Sequence, residues 1–175
     1  MLVRRSDTRN VLEALTYAIK SHSHDGVNLM FTQSDRHVST SRTKVALDEF
    51  DKVTFSGQTD MTQRLESIFE EVKRKITFQP RGWLSKAHHP PRQSLSQKLS
   101  LYILSDGNWQ SGSDVPSTIQ TMIAYLTEHN LPQKQIAIQF IRMGPDTPQT
   151  ATFLDPLDGS HDLGLYGFFF YYHYS

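Results

Sequence analysis

Leu99-Ser-Leu-Tyr-Ile-Leu-Ser-Asp-Gly107 is the stretch that decides how the chain reads. An apolar run closes on Ser-Asp-Gly, and a capped amphipathic pattern follows. Such a run has the composition of a buried strand, and its polar end delivers a carboxylate to the edge of a sheet. In α/β proteins that edge, at the carboxyl ends of the strands, is where ligands bind.

The pattern downstream is helical from about Asp114 to His129, with the stripe Ile119, Met122, Ile123 and Leu126. Pro116 fits its first turn, and Asn130 with Pro132 ends it. Gln135–Arg142 alternates Ile136, Ile138 and Phe140, as a strand does. Pro148 to Leu157 reads as a final short helix.

Upstream, Val11, Leu12, Leu15, Ala18 and Ile19 share one face of a first helix, capped by Ser6 or Asp7 and stopped by Asp25-Gly26. Val27-Asn-Leu-Met-Phe31 reads as a strand. Arg36-His-Val-Ser-Thr40 is a more polar strand near an edge. Thr43 to Phe50 is a short helix carrying Val45, Ala46 and Phe50. The next helix, about Thr62 to Lys75, has the stripe Leu65, Ile68, Phe69, Val72 and Ile76. From Thr77 to Lys98 the periodicity lapses around Pro80, Gly82, Pro90 and Pro91. A break this long inside a domain reads as a surface insertion, because the α/β alternation resumes after it. The order α-β-β-α-α-β-α-β-α predicts a mostly parallel sheet with helices on both faces.

Composition narrows the function classes. The chain has 175 residues, enough for one domain, with 18 Lys+Arg against 18 Asp+Glu and no Cys. The balanced charge gives no global field for nucleic acid or an anionic membrane. Without Cys there is no disulfide, thiolate chemistry or cysteine-ligated metal. The N-terminus lacks the apolar core of a signal peptide, and no run approaches the ~20 apolar residues of a membrane helix. An intracellular, cytoplasmic protein is expected. Phosphate-binding glycine loops, the dinucleotide fingerprint and the serine nucleophile elbow are missing. No second Asp stands two residues before Asp106, as an Asp-based phosphotransferase would require.

The candidate site residues each have a plainer role. Asp106 can ligate a metal or act as a base, yet Asp-Gly after a strand is also ordinary turn chemistry. Thr59, in Ser56-Gly-Gln-Thr-Asp60, can offer its hydroxyl to a cation, or it can cap the following helix, a role Asp60 can share. Ser105 can hydrogen-bond within its own turn. His22 with His24, and His88 with His89, look like metal pairs, but no third ligand can be placed and solvated loop histidines suffice. Trp83 and Trp109 can anchor a partner or cover the edge of the core, and the second role is the plainer one.

Taken together, these stretches resemble von Willebrand factor type A domains, especially fungal ones, from about Ser6 to Leu157. Asp25-Gly-Val-Asn-Leu-Met-Phe31 resembles the family's second strand, and Val53-Thr-Phe-Ser-Gly-Gln-Thr-Asp60 the loop that supplies a threonine. Leu101-Tyr-Ile-Leu-Ser-Asp-Gly107 resembles the fourth strand, and Ile136-Ala-Ile-Gln-Phe-Ile-Arg-Met-Gly144 the fifth. Phe153-Leu-Asp155 with Leu157-Asp158 resembles the following helix and acidic turn.

The family's metal-ion-dependent adhesion site uses Asp-x-Ser-x-Ser, a Thr and an Asp. By resemblance Thr59 and Asp106 hold the last two positions. The place of the first segment, after a first and central strand, falls at or before Met1. Mg²⁺ is the implied cofactor, with weak or no binding expected in this chain, because Mg²⁺ wants six oxygens and this pair supplies one carboxylate and one hydroxyl.

The expected fold is α/β, a three-layer, doubly wound, mostly parallel sheet incomplete at its N-terminus. Residues 1–165 form the truncated domain, with the insertion at about 77–98. Residues 166–175 form an aromatic tail outside the family pattern, in the manner of an altered gene end. The expected function is a non-enzymatic protein-interaction module with a partial, impaired adhesion site. Its partner is a protein, and self-association through exposed strand edges is expected. The alternatives are a metal-assisted hydrolase using Asp106, with Thr59 positioning substrate, and a nonfunctional truncated gene product.

Overall fold

The computed structural model describes residues 2–20, 26–54, 58–77, 99–107, 109–132 and 136–143. The expectations for His22, His24, His88, His89 and Trp83, the insertion beyond Thr77, the helix at 148–157 and the tail at 166–175 lie outside the described residues.

The described elements run α1 (Leu2–Lys20), β1 (Val27–Phe31), β2 (Ser34–Thr40), α2 (Thr43–Asp51), α3 (Met61–Thr77), β3 (Leu99–Ser105), α4 (Val115–Glu128) and β4 (Ile136–Arg142). This mixed α/β order matches the first eight elements read from the sequence. Among the described residues no helix is long and apolar enough to cross a membrane.

The strands form two pairs. β1 and β2 are antiparallel, from Val27 opposite Thr40 to Phe31 opposite Ser34, with a register shift between Met30 and Phe31. Thr32 and Gln33 make the tight connection. Gly26 opens β1 at φ +78°, and a Cβ there would lie 2.5 Å from the Thr40 carbonyl oxygen, so only glycine fits. β3 and β4 are parallel, from Leu99 opposite Ile136 to Ser105 opposite Arg142. Among the described residues the pairs remain separate sheets.

The buried apolar residues gather in two clusters. Met61, Leu65, Phe69 and Val72 of α3 meet Val115, Ile119, Met122 and Leu126 of α4 over Ile103, Ile136, Ile138 and Phe140. A smaller cluster joins Leu12 of α1, Phe31 of β1, Leu47 and Phe50 of α2, and Val53, with Leu29 and Leu104 packed against it. Alternate residues of β3 therefore feed different cores. Leu99, Leu101 and Ile103 meet the α3–α4 side, and Leu104 meets the α1–α2 side.

The helix ends follow local chemistry. Asp114 caps α4, its carboxylate accepting from Ser117 N at 3.1 Å, and Asn130 closes the far end in the left-handed region at φ 53°. The α1 stripe is covered less fully than its periodicity implies. Leu12 is buried, Val11, Leu15 and Ile19 are half-buried, and Ala18 is exposed.

Candidate functional site

The candidate rim is built where β1 and β3 end. β1 runs into Thr32 and Gln33, β3 runs into Asp106 and Gly107, and Thr59 lies between these turns, just before α3. Asp60, not Thr59, caps α3: its carboxylate accepts from Gln63 N at 2.9 Å. The Thr59 side chain is thus released from the role that sequence most readily assigns it.

Thr59 makes contacts in both directions. Its hydroxyl lies 3.3 Å from the Thr32 hydroxyl and accepts from Gln33 Nε2 at 3.4 Å, at the long limit for a hydrogen bond. Its backbone forms a parallel bridge with Trp109, and Gln110 N donates to Thr59 O at 2.9 Å. Arg64, one turn into α3, steadies the β1 side by donating to the carbonyls of Phe31 and Ser34.

Asp106 follows directly from Ser105, the last residue of β3, and is half-buried. Ser105 is a junction. Its carbonyl accepts from Met143 N at 2.8 Å, which fixes the end of β4 beside it. Its hydroxyl oxygen accepts from Gly107 N at 3.0 Å and from the Trp109 indole at 2.8 Å. Gly107 takes φ 71°, the backbone conformation that Asp-Gly turns favour. Arg142, a buried cation, stands opposite Ser105 across the β3–β4 ladder.

Trp109 is 3% exposed, with its ring 6.0 Å from that of Phe140. It covers the core, as its plainer reading held, and it also joins the two rim loops. Thr32, Gln33 and Trp109 are the participants that sequence reading did not assign to this rim. A two-residue turn and a single loop tryptophan carry no spacing signal that would have marked them.

Mg²⁺ takes six oxygens in near-octahedral geometry. Of these the two candidate ligands would supply the Asp106 carboxylate and the Thr59 hydroxyl, which lies 3.4 Å from Gln33 Nε2 and keeps a second lone pair. Among the described residues no three His, Cys, Asp or Glu side chains gather in one place. The arrangement offers a polar surface of hydroxyl, amide and carboxylate groups on a hydrogen-bonded frame. No protein-family model, curated protein or solved structure matches the chain.

Proposed function

We propose that the chain is a non-enzymatic protein-interaction module of the von Willebrand factor A type, with Thr59 and Asp106 on its recognition rim. The carrying observation is the bonding between the two loops: Thr59 is bridged to Trp109, and Trp109 is bonded to Ser105 beside Asp106. Two residues 47 positions apart are thereby set on neighbouring segments where strands end, the usual place of recognition in α/β domains.

The three-layer, doubly wound architecture belongs to the same proposal. Its support is the division of β3, whose alternate residues face the α3–α4 core and the α1–α2 cluster. That is the pattern of a strand with helices on both sides.

Recognition by such a rim is short-ranged. The formal net charge is zero, so long-range steering is small and the partner is read by hydrogen bonding and shape. The Asp106 carboxylate accepts, and the Gln33 amide and the hydroxyls of Thr32 and Thr59 can donate. With the adhesion site partial, the partner meets these groups directly.

The test is affinity capture by the whole chain from cell extract, compared with Asp106→Ala and Thr59→Val, alongside hydrolase assays with Mg²⁺. A protein partner retained by the wild type and lost from both variants is the expected result. Mg²⁺-dependent turnover abolished by Asp106→Ala would replace the module with the hydrolase reading.

A further inference from the structure

We propose that Ser105 and Trp109 are the positioning pair of this rim, a latch that holds the loop carrying Asp106 against the loop carrying Thr59. The proposal rests on the reading of the rim as a recognition surface, but its test reads the latch itself and needs no ligand.

The latch is built from three kinds of contact on one residue. The Trp109 ring packs into the α3–α4 core beside Phe140. Its backbone bridges Thr59, and its own N–H donates to Gly107 O at 3.0 Å. Its indole N–H donates to Ser105 Oγ at 2.8 Å. The same oxygen accepts from Gly107 N, so the turn that begins with Asp106 is held at its start and its end. Ser105 is fixed in turn by β4 through Met143 N.

A tryptophan that only filled the core would need its ring and no particular acceptor. A buried indole N–H does need a partner, and many acceptors satisfy it. Here the acceptor is the residue next to Asp106, and the donor is the residue bridged to Thr59. Loss of this one bond should therefore loosen the contact between the loops while leaving the ring packed. A core-filling role alone would not produce that response.

Amide hydrogen exchange on the intact chain tests this. Gln110 N–H, which donates to Thr59 O, reports the joint between the loops, and Met122 N–H, inside the buried face of α4, reports the core. In Ser105→Ala, which also removes the acceptor of Gly107 N, Gln110 is expected to exchange roughly 3- to 10-fold faster relative to Met122, the range of one typical hydrogen bond. Trp109→Phe, which removes the indole bond alone, should shift it in the same direction. Because both remove one shared bond, the double variant should be no faster than Ser105→Ala alone. Ser105→Thr, which keeps the acceptor, should restore the wild-type rate. Gln110 exchange that tracks Met122 in Ser105→Ala, or effects that multiply in the double variant, would overturn the latch. If Trp109→Phe does not fold, the contrast between Ser105→Ala and Ser105→Thr decides the matter.

Discussion

Leu29 of β1 and Leu104 of β3 pack against the same apolar cluster, yet among the described residues their strands belong to different sheets. The cluster of Leu12, Phe31, Leu47, Phe50 and Val53 thus draws the two halves together through side chains, without a ladder between β1 and β3. A two-stranded sheet is marginal on its own, and its stability comes from the helices laid against it. An edge left without a ladder partner is also a template for another chain. The full 175-residue chain is therefore expected to associate as its concentration rises and to melt below about 55 °C, in the lower part of the mesophile range. Sedimentation and calorimetry check this. A chain that stays monomeric at high concentration and melts cooperatively above that temperature would contradict it.

The larger core has less slack. Leu65 and Leu126 are each 1% exposed and lie in the cluster that α3 and α4 form over the β3–β4 pair. Leu126→Ala should cost about 2–5 kcal/mol through lost burial and the cavity left behind. Against the ~5–15 kcal/mol total stability of a typical domain, that can abolish the fold. Urea denaturation of this variant beside Tyr17→Ala, at a position 75% exposed, separates core from surface.

This core was the legible part of the sequence. The run at 99–105 and the stripe Ile119, Met122, Ile123 and Leu126 identify β3 and α4 because burial on a helix or strand imposes its period on the residues. Asp114 and Pro116 mark the start of α4 through the chemistry of unsatisfied helix N–H groups. The same reasoning overstated α1. Periodicity tells which residues share a face, not what covers it, and Ala18 is exposed. The sheet pairing was less legible still, since an antiparallel β1–β2 pair depends on a two-residue turn with no glycine signal. At the rim, Thr59 and Asp106 stood out as polar residues at loop ends. Ser105 was legible as a hydrogen-bonding turn residue and Trp109 as cover for the core, but the bond between them was not, because no spacing encodes it.

The first helix is anchored to the end of the second by arginines. Arg5 donates to the carbonyl oxygens of Asp51 at 2.6 Å and Phe50 at 3.4 Å, and its guanidinium lies 5.7 Å from the centre of the Phe50 ring. These carbonyls close α2, where a cation also meets the negative end of the helix dipole. Arg5→Ala is expected to destabilise by about 1–2 kcal/mol, from charged hydrogen bonds partly exposed to water. Arg9→Ala breaks two exposed pairs, with Asp51 at 3.2 Å and Glu13 at 3.9 Å, and should cost about 0–1 kcal/mol. Equal losses in chemical denaturation would remove the distinction between a helix-end anchor and a surface pair.

Acid should act on α2 through Glu49. The Lys52 ammonium hydrogen-bonded to it, with the Arg36 guanidinium 3.2 Å away, holds its carboxyl below the ordinary value of 4.5. The folded value is the lower one, so the interaction stabilises the fold above the unfolded value. That contribution is lost as pH falls through the folded value. The urea midpoint of the wild type should fall more steeply below about pH 4.5 than that of Glu49→Gln, with the two curves parallel above pH 6. The effect is small because the pair is exposed. Parallel curves throughout would show that the pair is not formed in solution.

The claim that Thr59 and Asp106 share one rim is tested most directly by paramagnetic broadening, with Mn²⁺ as the probe, in amide spectra of the whole chain. The Asp106 carboxylate is the anionic ligand of the pair, and an incomplete ligand set should hold the ion only at millimolar concentration. The amides of Thr59, Gly107 and Gln110 should broaden together at the same Mn²⁺ concentrations, and Asp106→Asn should abolish the broadening at all three. Broadening at Gly107 without Thr59 would place the two residues apart and contradict the rim. Saturation at micromolar Mn²⁺ would show a complete metal site and contradict its partial character.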